Sequence, residues 1–190
     1  NESIDPEKQK AKYVDAKEWN KIINHPDVIT IDVRNEYETK IGTFKNAITA
    51  NTESFVDFKQ FITEKLSEHK SKKIAMYCTG GIRCEKASYY MNEIGFENIF
   101  QLQGGILKYI EVTPKIKSLW NGECFVFDKR VTVTSRLGKG NYDLCHGCND
   151  PISKTDQESI EFEKDVSCPN CYDKATENKK NKSRERSKQI

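Results

Sequence analysis

The chain has 190 residues, 36% hydrophobic and 32% charged, with a formal net charge of +2; this suits one domain with an attachment and is too polar for a chain packed end to end. No stretch approaches the roughly 18 to 20 consecutive apolar residues that span a bilayer, and no charged-then-apolar leader opens the sequence, so a soluble protein with no membrane partner is expected. Seven cysteines, an odd number that includes two Cys-x-x-Cys pairs, fit a reducing compartment, the cytoplasm, better than an extracellular disulfide framework.

A first residue of Asn rather than Met is expected of a processed protein or of a chain that begins part-way along a longer one. Residues 1–12 are polar and read as a flexible segment. Asp15, followed three residues later by Glu18, reads as a helix N-cap with its reciprocal partner, and Trp19, Ile22 and Ile23 give that helix one apolar face. His25-Pro26 ends it. The β-branched run from Val28 to Val33 then predicts a strand buried on both faces.

Thr52 can cap a longer helix in which Phe55, Phe58, Ile62 and Leu66 recur at helical spacing, ending near His69. A second buried strand runs from Lys73 to Tyr77. Helical periodicity resumes with Ala87, Tyr90, Met91 and Ile94, and Gly95 is a natural C-terminal cap. A strand from Ile99 to Leu102 and a brief helix from Ile106 follow. Strands alternating with helices predict an α/β fold, a parallel sheet with helices on both faces, over 13–113.

Beyond Pro114 the pattern changes. Glu123 to Val133 alternates well enough for a strand or hairpin, Gly138 to Asn141 breaks it, and a cysteine-paired module follows, so 114–173 reads as a C-terminal extension. The tail from Lys174 to Ile190 carries seven Lys/Arg against Glu177 and Glu185 and is expected to be disordered.

The stretch Cys78-Thr79-Gly80-Gly81-Ile82-Arg83-Cys84 leaves a buried strand and enters a helix. In open parallel sheets ligands sit at such strand ends, where the first amides of the helix lack partners. Backbone amides of Thr79, Gly80, Gly81 and Ile82 can curl around the Cys78 sulfur, since glycine permits the close approach. With the helix dipole and Arg83 they favour an exposed, nucleophilic thiolate. The competing reading is a buried cysteine packed as a small apolar residue, with Arg83 a surface charge. Cys84 is either a second thiol that resolves an oxidised Cys78 or passive packing.

These features resemble the rhodanese-like domain family over residues 10–112: Ile31 to Glu38 at the second strand, the six-residue loop from Cys78 to Arg83, and Gly104-Gly105-Ile106 after the last strand. The resemblance implies a rhodanese-like fold and a loop cysteine that carries a persulfide. A related group of phosphatases has one more loop residue before its arginine; that position is Cys84 here, which disfavours a phosphatase. Gly42-Thr43-Phe44 departs from the Gly-His-Ile-like segment frequent in rhodaneses. Asp32 and Arg34 read either as catalytic groups or, more simply, as braces of neighbouring loops. Glu85 and Lys86 read either as a solvated pair or as substrate contacts.

Cys145-His146-Gly147-Cys148 and Cys168-Pro169-Asn170-Cys171 are separated by 19 residues. Two such knuckles match a four-cysteine structural zinc site in a zinc-ribbon-like module, with no coordination position left open for catalysis. Two disulfides are the alternative. His146 reads as a bystander and Cys124 as a core residue.

Taken together, the loop, Gln103 to Tyr109, Gly122 to Asp128 and the cysteine pairs resemble the rhodanese-containing tRNA uridine hydroxylases, from about 10 to 173. That resemblance implies oxygen-dependent conversion of the wobble uridine of tRNA to 5-hydroxyuridine, with dioxygen as co-substrate, the anticodon loop as partner, and an additional ferredoxin-like N-terminal domain that this chain does not show. Catalysis is then expected from Cys78, Arg83 and Cys84, and anion or substrate binding from the loop residues Thr79 to Ile82. The basic tail offers phosphate contacts and Tyr109, Trp120 or Tyr142 offer stacking faces, although a solvated tail and core aromatics explain them equally. Two other readings stay open: a sulfurtransferase that passes persulfide sulfur from Cys78, and a zinc-stabilised RNA-binding module with an inactive loop.

Overall fold

A computed structural model describes residues 11–188. The chain divides into two compact units. One runs to Cys124 and also takes Thr134–Gly138; the other takes Phe125–Val133 and the residues from Lys139 on.

In chain order the first unit contains β1 (Lys12–Val14), α1 (Ala16–Ile23), β2 (Val28–Asp32), α2 (Glu36–Thr39), β3 (Gly42–Phe44) and β4 (Ile48–Thr49). It continues with α3 (Phe55–Leu66), β5 (Lys73–Tyr77), α4 (Ile82–Glu93), β6 (Asn98–Leu102), α5 (Gly105–Val112) and β7 (Trp120–Gly122). Five strands form a sheet in the order β1-β6-β5-β2-β4, and every neighbouring pair is parallel. The α/β expectation therefore holds, and its helix starts have physical causes. Asp15 accepts from the amides of Lys17 and Glu18, and α3 is capped by Ser54 and Asp57 rather than by Thr52.

Alternation along the strands sends side chains to two cores. On one face Ile31, Ile74 and Met76 pack with Phe58 and Ile62 of α3 and Ala87 and Met91 of α4. On the other, Phe44 is fully buried and meets Trp19, Tyr77, Tyr109 and Trp120 edge-on at centroid distances of 4.7–5.9 Å. Trp19, Phe44, Tyr77 and Tyr109 are fully buried, and burying such a ring stabilises the fold by about 1.5–3 kcal/mol.

Short elements escape periodicity. β3 pairs antiparallel with β7 in a separate two-stranded sheet, so residues after Pro114 pack within the first unit, which runs to Cys124 rather than ending at the expected 113. A Cβ on Gly42 would stand 2.3 Å from Glu123 O, so that pairing needs glycine. Tyr109 is no stacking platform either: its hydroxyl donates to Asn20 at 2.6 Å and accepts from the amide of Leu119.

Between the units β8 (Cys124–Phe125) crosses the boundary and β9 (Thr132–Val133) follows after a turn in which the Val126 amide donates to Val131 O. The second unit continues with β10 (Asp143–Leu144), β11 (Pro151–Ile152), α6 (Lys154–Gln157) and α7 (Glu177–Ser187); β10 and β11 pair antiparallel. Of the disordered tail expected over 174–190, residues 189–190 lie outside the described residues, and the rest is corrected: it carries the helix α7. Thr176 caps α7, Arg184 grips Glu163 through two contacts of 2.6 Å, and Lys180 lies 3.8 Å over the ring of Tyr172. Charge pairing and a cation on an aromatic face replace the apolar stripe that sequence periodicity detects. Of the flexible segment expected over 1–12, residues 1–10 lie outside the described residues, and Lys12 opens β1. Among the described residues no helix is long and apolar enough to cross a membrane.

Candidate active site

Cys78 follows directly on β5, with β2 alongside: the Val33 amide donates to Tyr77 O at 3.0 Å. Gly81 takes a φ of 103° and serves as N-cap of α4, a conformation that favours glycine. Its amide turns back to the sulfur of Cys78 at 3.1 Å. Beneath the loop, the amides of Ile106 and Leu107 donate to the carbonyl oxygens of Cys78 and Thr79 at 3.0 and 3.1 Å. The first turn of α5 thus satisfies the loop's carbonyls with its own unpaired donors. This contact needs Gly105, where a Cβ would meet both oxygens at 2.6 Å.

The Cys78 thiol is lowered to about 6. The hydrogen bond from the Cys84 side chain is the main cause; burial opposes it, while the Cys84 amide, the Arg83 charge and the Gly81 amide assist. Cys84 is held as a thiol: burial pushes it well up, and the negative Cys78 pushes it further. Cys124, also buried, is pushed up to about 12 chiefly by burial. Of three thiols in this unit, only Cys78 is built to ionise near neutrality.

One expectation changes and another is extended. The sulfur was expected in the open, but Cys78 is 1% exposed, because the loop that supplies its hydrogen bonds also covers it. Arg83, expected to favour the thiolate as the closing charge of the loop, does so, but its guanidinium is also engaged by Glu38, at 2.5 Å to Oε2 and 2.8 Å to Oε1. Glu38 is fully buried and also accepts from the Thr79 hydroxyl at 3.1 Å and the Asn35 amide at 3.2 Å. This carboxylate holds the first and last polar side chains of the loop together. Sequence reasoning missed it, since a Glu in a charged run gives no sign of burial.

The remaining candidates are placed as follows. Gly80 is exposed at the loop's crest and Ile82 is 80% exposed. Asp32 and Arg34 form a buried pair, Nη2 to Oδ2 at 2.7 Å and Nε to Oδ1 at 2.9 Å. Arg34 also donates to Gly42 O at 2.6 Å and lies 5.0 Å from the Trp120 ring centroid. Both side chains brace β2 against β3 and do not reach solvent.

In the second unit the sulfurs of Cys145, Cys148, Cys168 and Cys171 all lie within 4.8 Å of one another. Cys145–Cys171, Cys148–Cys168 and Cys168–Cys171 are 3.9, 3.8 and 3.9 Å apart. These separations exclude disulfides, whose bond is about 2.05 Å. They match the roughly 3.8 Å edge of a tetrahedron with four metal–sulfur bonds of about 2.3 Å. The knuckle around Gly147 is tight, because a Cβ there would meet Val166 O at 2.2 Å. The cluster can hold a metal ion; His146 points outward, 3.9 Å from Asp165.

A parallel sheet whose central strand ends in a hydrogen-bonded cysteine loop closed by an arginine defines a thiol-bearing α/β domain. The model of the Rhodanese-like domain matches residues 15–111, about half of the chain, and the chain belongs to that family. Among curated relatives, a tRNA uridine(34) hydroxylase of Teredinibacter turnerae is 51% identical over 189 residues, 100% of this chain and 59% of that protein. The chain thus spans about 59% of that relative's length. Among solved structures, a rhodanese-like domain from Anabaena sp. is 21% identical with a TM-score of 0.48, covering 58% of this chain and 78% of that one. A rhodanese-like domain protein from Staphylococcus aureus is 24% identical with a TM-score of 0.41, covering 52% and 90%.

A pH titration of ultraviolet thiolate absorbance, taken as the difference between wild type and Cys78→Ser, is expected to show a midpoint near 6. In Cys84→Ala the midpoint moves up, because the hydrogen bond that most favours the thiolate is gone. An unchanged midpoint would assign the depression to another group.

Proposed function

We propose that this chain is the thiol-bearing part of an enzyme that hydroxylates the wobble uridine of tRNA to 5-hydroxyuridine, with dioxygen as co-substrate, in the cytoplasm. The observation that carries the reading is the loop that turns the Gly81 amide onto the Cys78 sulfur at 3.1 Å, with a second, fully buried cysteine, Cys84, at the start of α4; together they favour a thiolate at Cys78 and a thiol at Cys84. The identity of the Teredinibacter turnerae relative as a tRNA uridine(34) hydroxylase supports the substrate. Arginine- and lysine-rich α7, with Lys179, Lys182 and Arg186 along a groove, supports phosphate contact with an anticodon stem-loop.

The chemistry follows from the two thiols. The Cys78 thiolate adds to C6 of the uracil, and the electron pair of the C5–C6 double bond moves to C5 as an enolate. That enolate reacts with dioxygen and a proton to give a C5 hydroperoxide. Cys84 takes the terminal oxygen, leaving a C5 hydroxyl and a Cys84 sulfenic acid. Loss of the C5 proton expels Cys78 and restores the ring double bond. Cys78 then condenses with the sulfenic acid, releasing water and forming a disulfide, which an external reductant returns to two thiols. Four electrons reach dioxygen, two from uridine and two from the thiol pair. Arg83 and the loop amides of Thr79 to Ile82 border the anionic intermediate, while Asp32 and Arg34 hold the strand end in place.

We assign zinc to the four-cysteine cluster, with Cys145, Cys148, Cys168 and Cys171 as its ligands. When bound, the ion supplies a cross-link between the two knuckles and no open position for chemistry. Metal analysis is expected to return zinc, and a strong chelator or Cys148→Ser should make the region after Lys139 sensitive to protease; a metal-free preparation with unaltered protease resistance would contradict the assignment.

Mass spectrometry of tRNA nucleosides from cells lacking the full-length protein is expected to show no 5-hydroxyuridine, restored by wild type and reduced by orders of magnitude in Cys78→Ser. A 5-fluorouridine-containing anticodon stem-loop should trap an adduct that needs Cys78. An unchanged nucleoside profile, together with sulfur transfer from thiosulfate, would replace this reading with a sulfurtransferase.

A further inference from the structure

Beside the loop, the residues that follow β2, the start of α3 and the first turns of α4 enclose a cleft of about 180 Å³. Its floor is apolar. Val33 and Phe58 line it, and both belong to the packed cluster that contains Cys78 and Cys84. Its wall is Phe55, partly buried against the same cluster. Its rim is cationic: Arg83, with its side chain 33% exposed, and Lys86, whose ammonium lies 4.4 Å from the Phe55 ring centroid. Asn35 adds an amide at the edge.

This combination has a chemical meaning. A flat apolar wall favours a planar ring, and a polar edge reads the ring's heteroatoms. Flanking cations favour an attached phosphate. Phe55 is stacked on Phe58 at 5.8 Å with the ammoniums of Lys86 and Lys59 at 4.4 and 5.7 Å from its centroid, and Arg83 lines the same cleft, so an anionic group entering there meets several cations beside one aromatic ring. An extruded pyrimidine stacked on an aromatic side chain is the usual way that enzymes present a base for chemistry. A cleft of this size fits one base and not a helical stem.

We propose that this cleft receives the pyrimidine of a single-stranded ribonucleotide, stacked on Phe55, with the ring edge toward Arg83 and Asn35 and its phosphate on Lys86. The assignment rests on the uridine-hydroxylase reading and names the site at which that substrate docks. A base in the cleft abuts Arg83, the residue that Glu38 ties to the loop, so docking and access to Cys78 share one set of contacts.

A synthetic anticodon stem-loop with 4-thiouridine at the wobble position, irradiated with the wild-type chain and mapped by mass spectrometry, tests it. The cross-link is expected on peptides carrying Phe55, Lys86 or Val33–Asn35. Its yield should fall about tenfold in Phe55→Ala, the size of one lost base–aromatic stack, and should fall in Lys86→Ala, an exposed position where folding is not at stake. Cross-links confined to other peptides, no cross-link at all, or wild-type yields in both variants would overturn the cleft. The hydroxylase reading is scored separately by 5-hydroxyuridine in cellular tRNA: product formed without a cleft cross-link removes the subsite alone. A cleft cross-link without product removes the reaction and leaves a uridine-binding site.

Discussion

Hydrogen bonding to one sulfur organises the first unit. The Gly81 amide stands 3.1 Å from Cys78 Sγ, and the Cys84 thiol and amide complete the set. Burial alone drives a thiol the other way, as Cys124 and Cys84 demonstrate within the same domain. The loop therefore spends its backbone donors inward, and the carbonyls that this curvature turns outward are met by the N-terminal amides of α5. Strand end, loop and two helix starts form one hydrogen-bonded assembly around a negative charge.

The formal charges near the loop play a different part. Arg34 is matched by Asp32 and Arg83 by Glu38, each through two short contacts. Paired in this way, the guanidiniums also act mechanically: one pair fixes β2 against β3, and the other ties the loop's ends to α2 while the Arg83 charge still favours the Cys78 thiolate. The second unit solves a separate problem. Its strands are two residues long, and the buried apolar cluster consists of cysteines with Ile152 and Phe162. Four sulfurs at a spacing that can hold a metal ion lie at the centre of that cluster.

Long, strongly patterned segments were legible in the sequence. The β-branched run at 28–33, the apolar run at 73–77 and the helical spacing of Phe58, Ile62 and Leu66 each report a buried face, and the structure places each where its period requires. The cysteine loop and the two knuckles were legible because their spacing is chemical rather than statistical. What escaped depends on partners far along the chain. β3 and β7 are three residues each and exist only through their pairing. Glu38 is buried by a loop 41 residues on. The exposure of Cys78 was misjudged because the amides that ionise it must also surround it. α7 was missed because ion pairs and Tyr172, not apolar periodicity, hold it.

The paired-thiol account is tested most directly by oxidising the chain with a substoichiometric amount of peroxide and mapping the products by mass spectrometry. The account predicts that the first product is a disulfide between Cys78 and Cys84, with Cys124 untouched. Oxidation that begins at Cys124, or that leaves Cys78 a free thiol while other cysteines react, would contradict it.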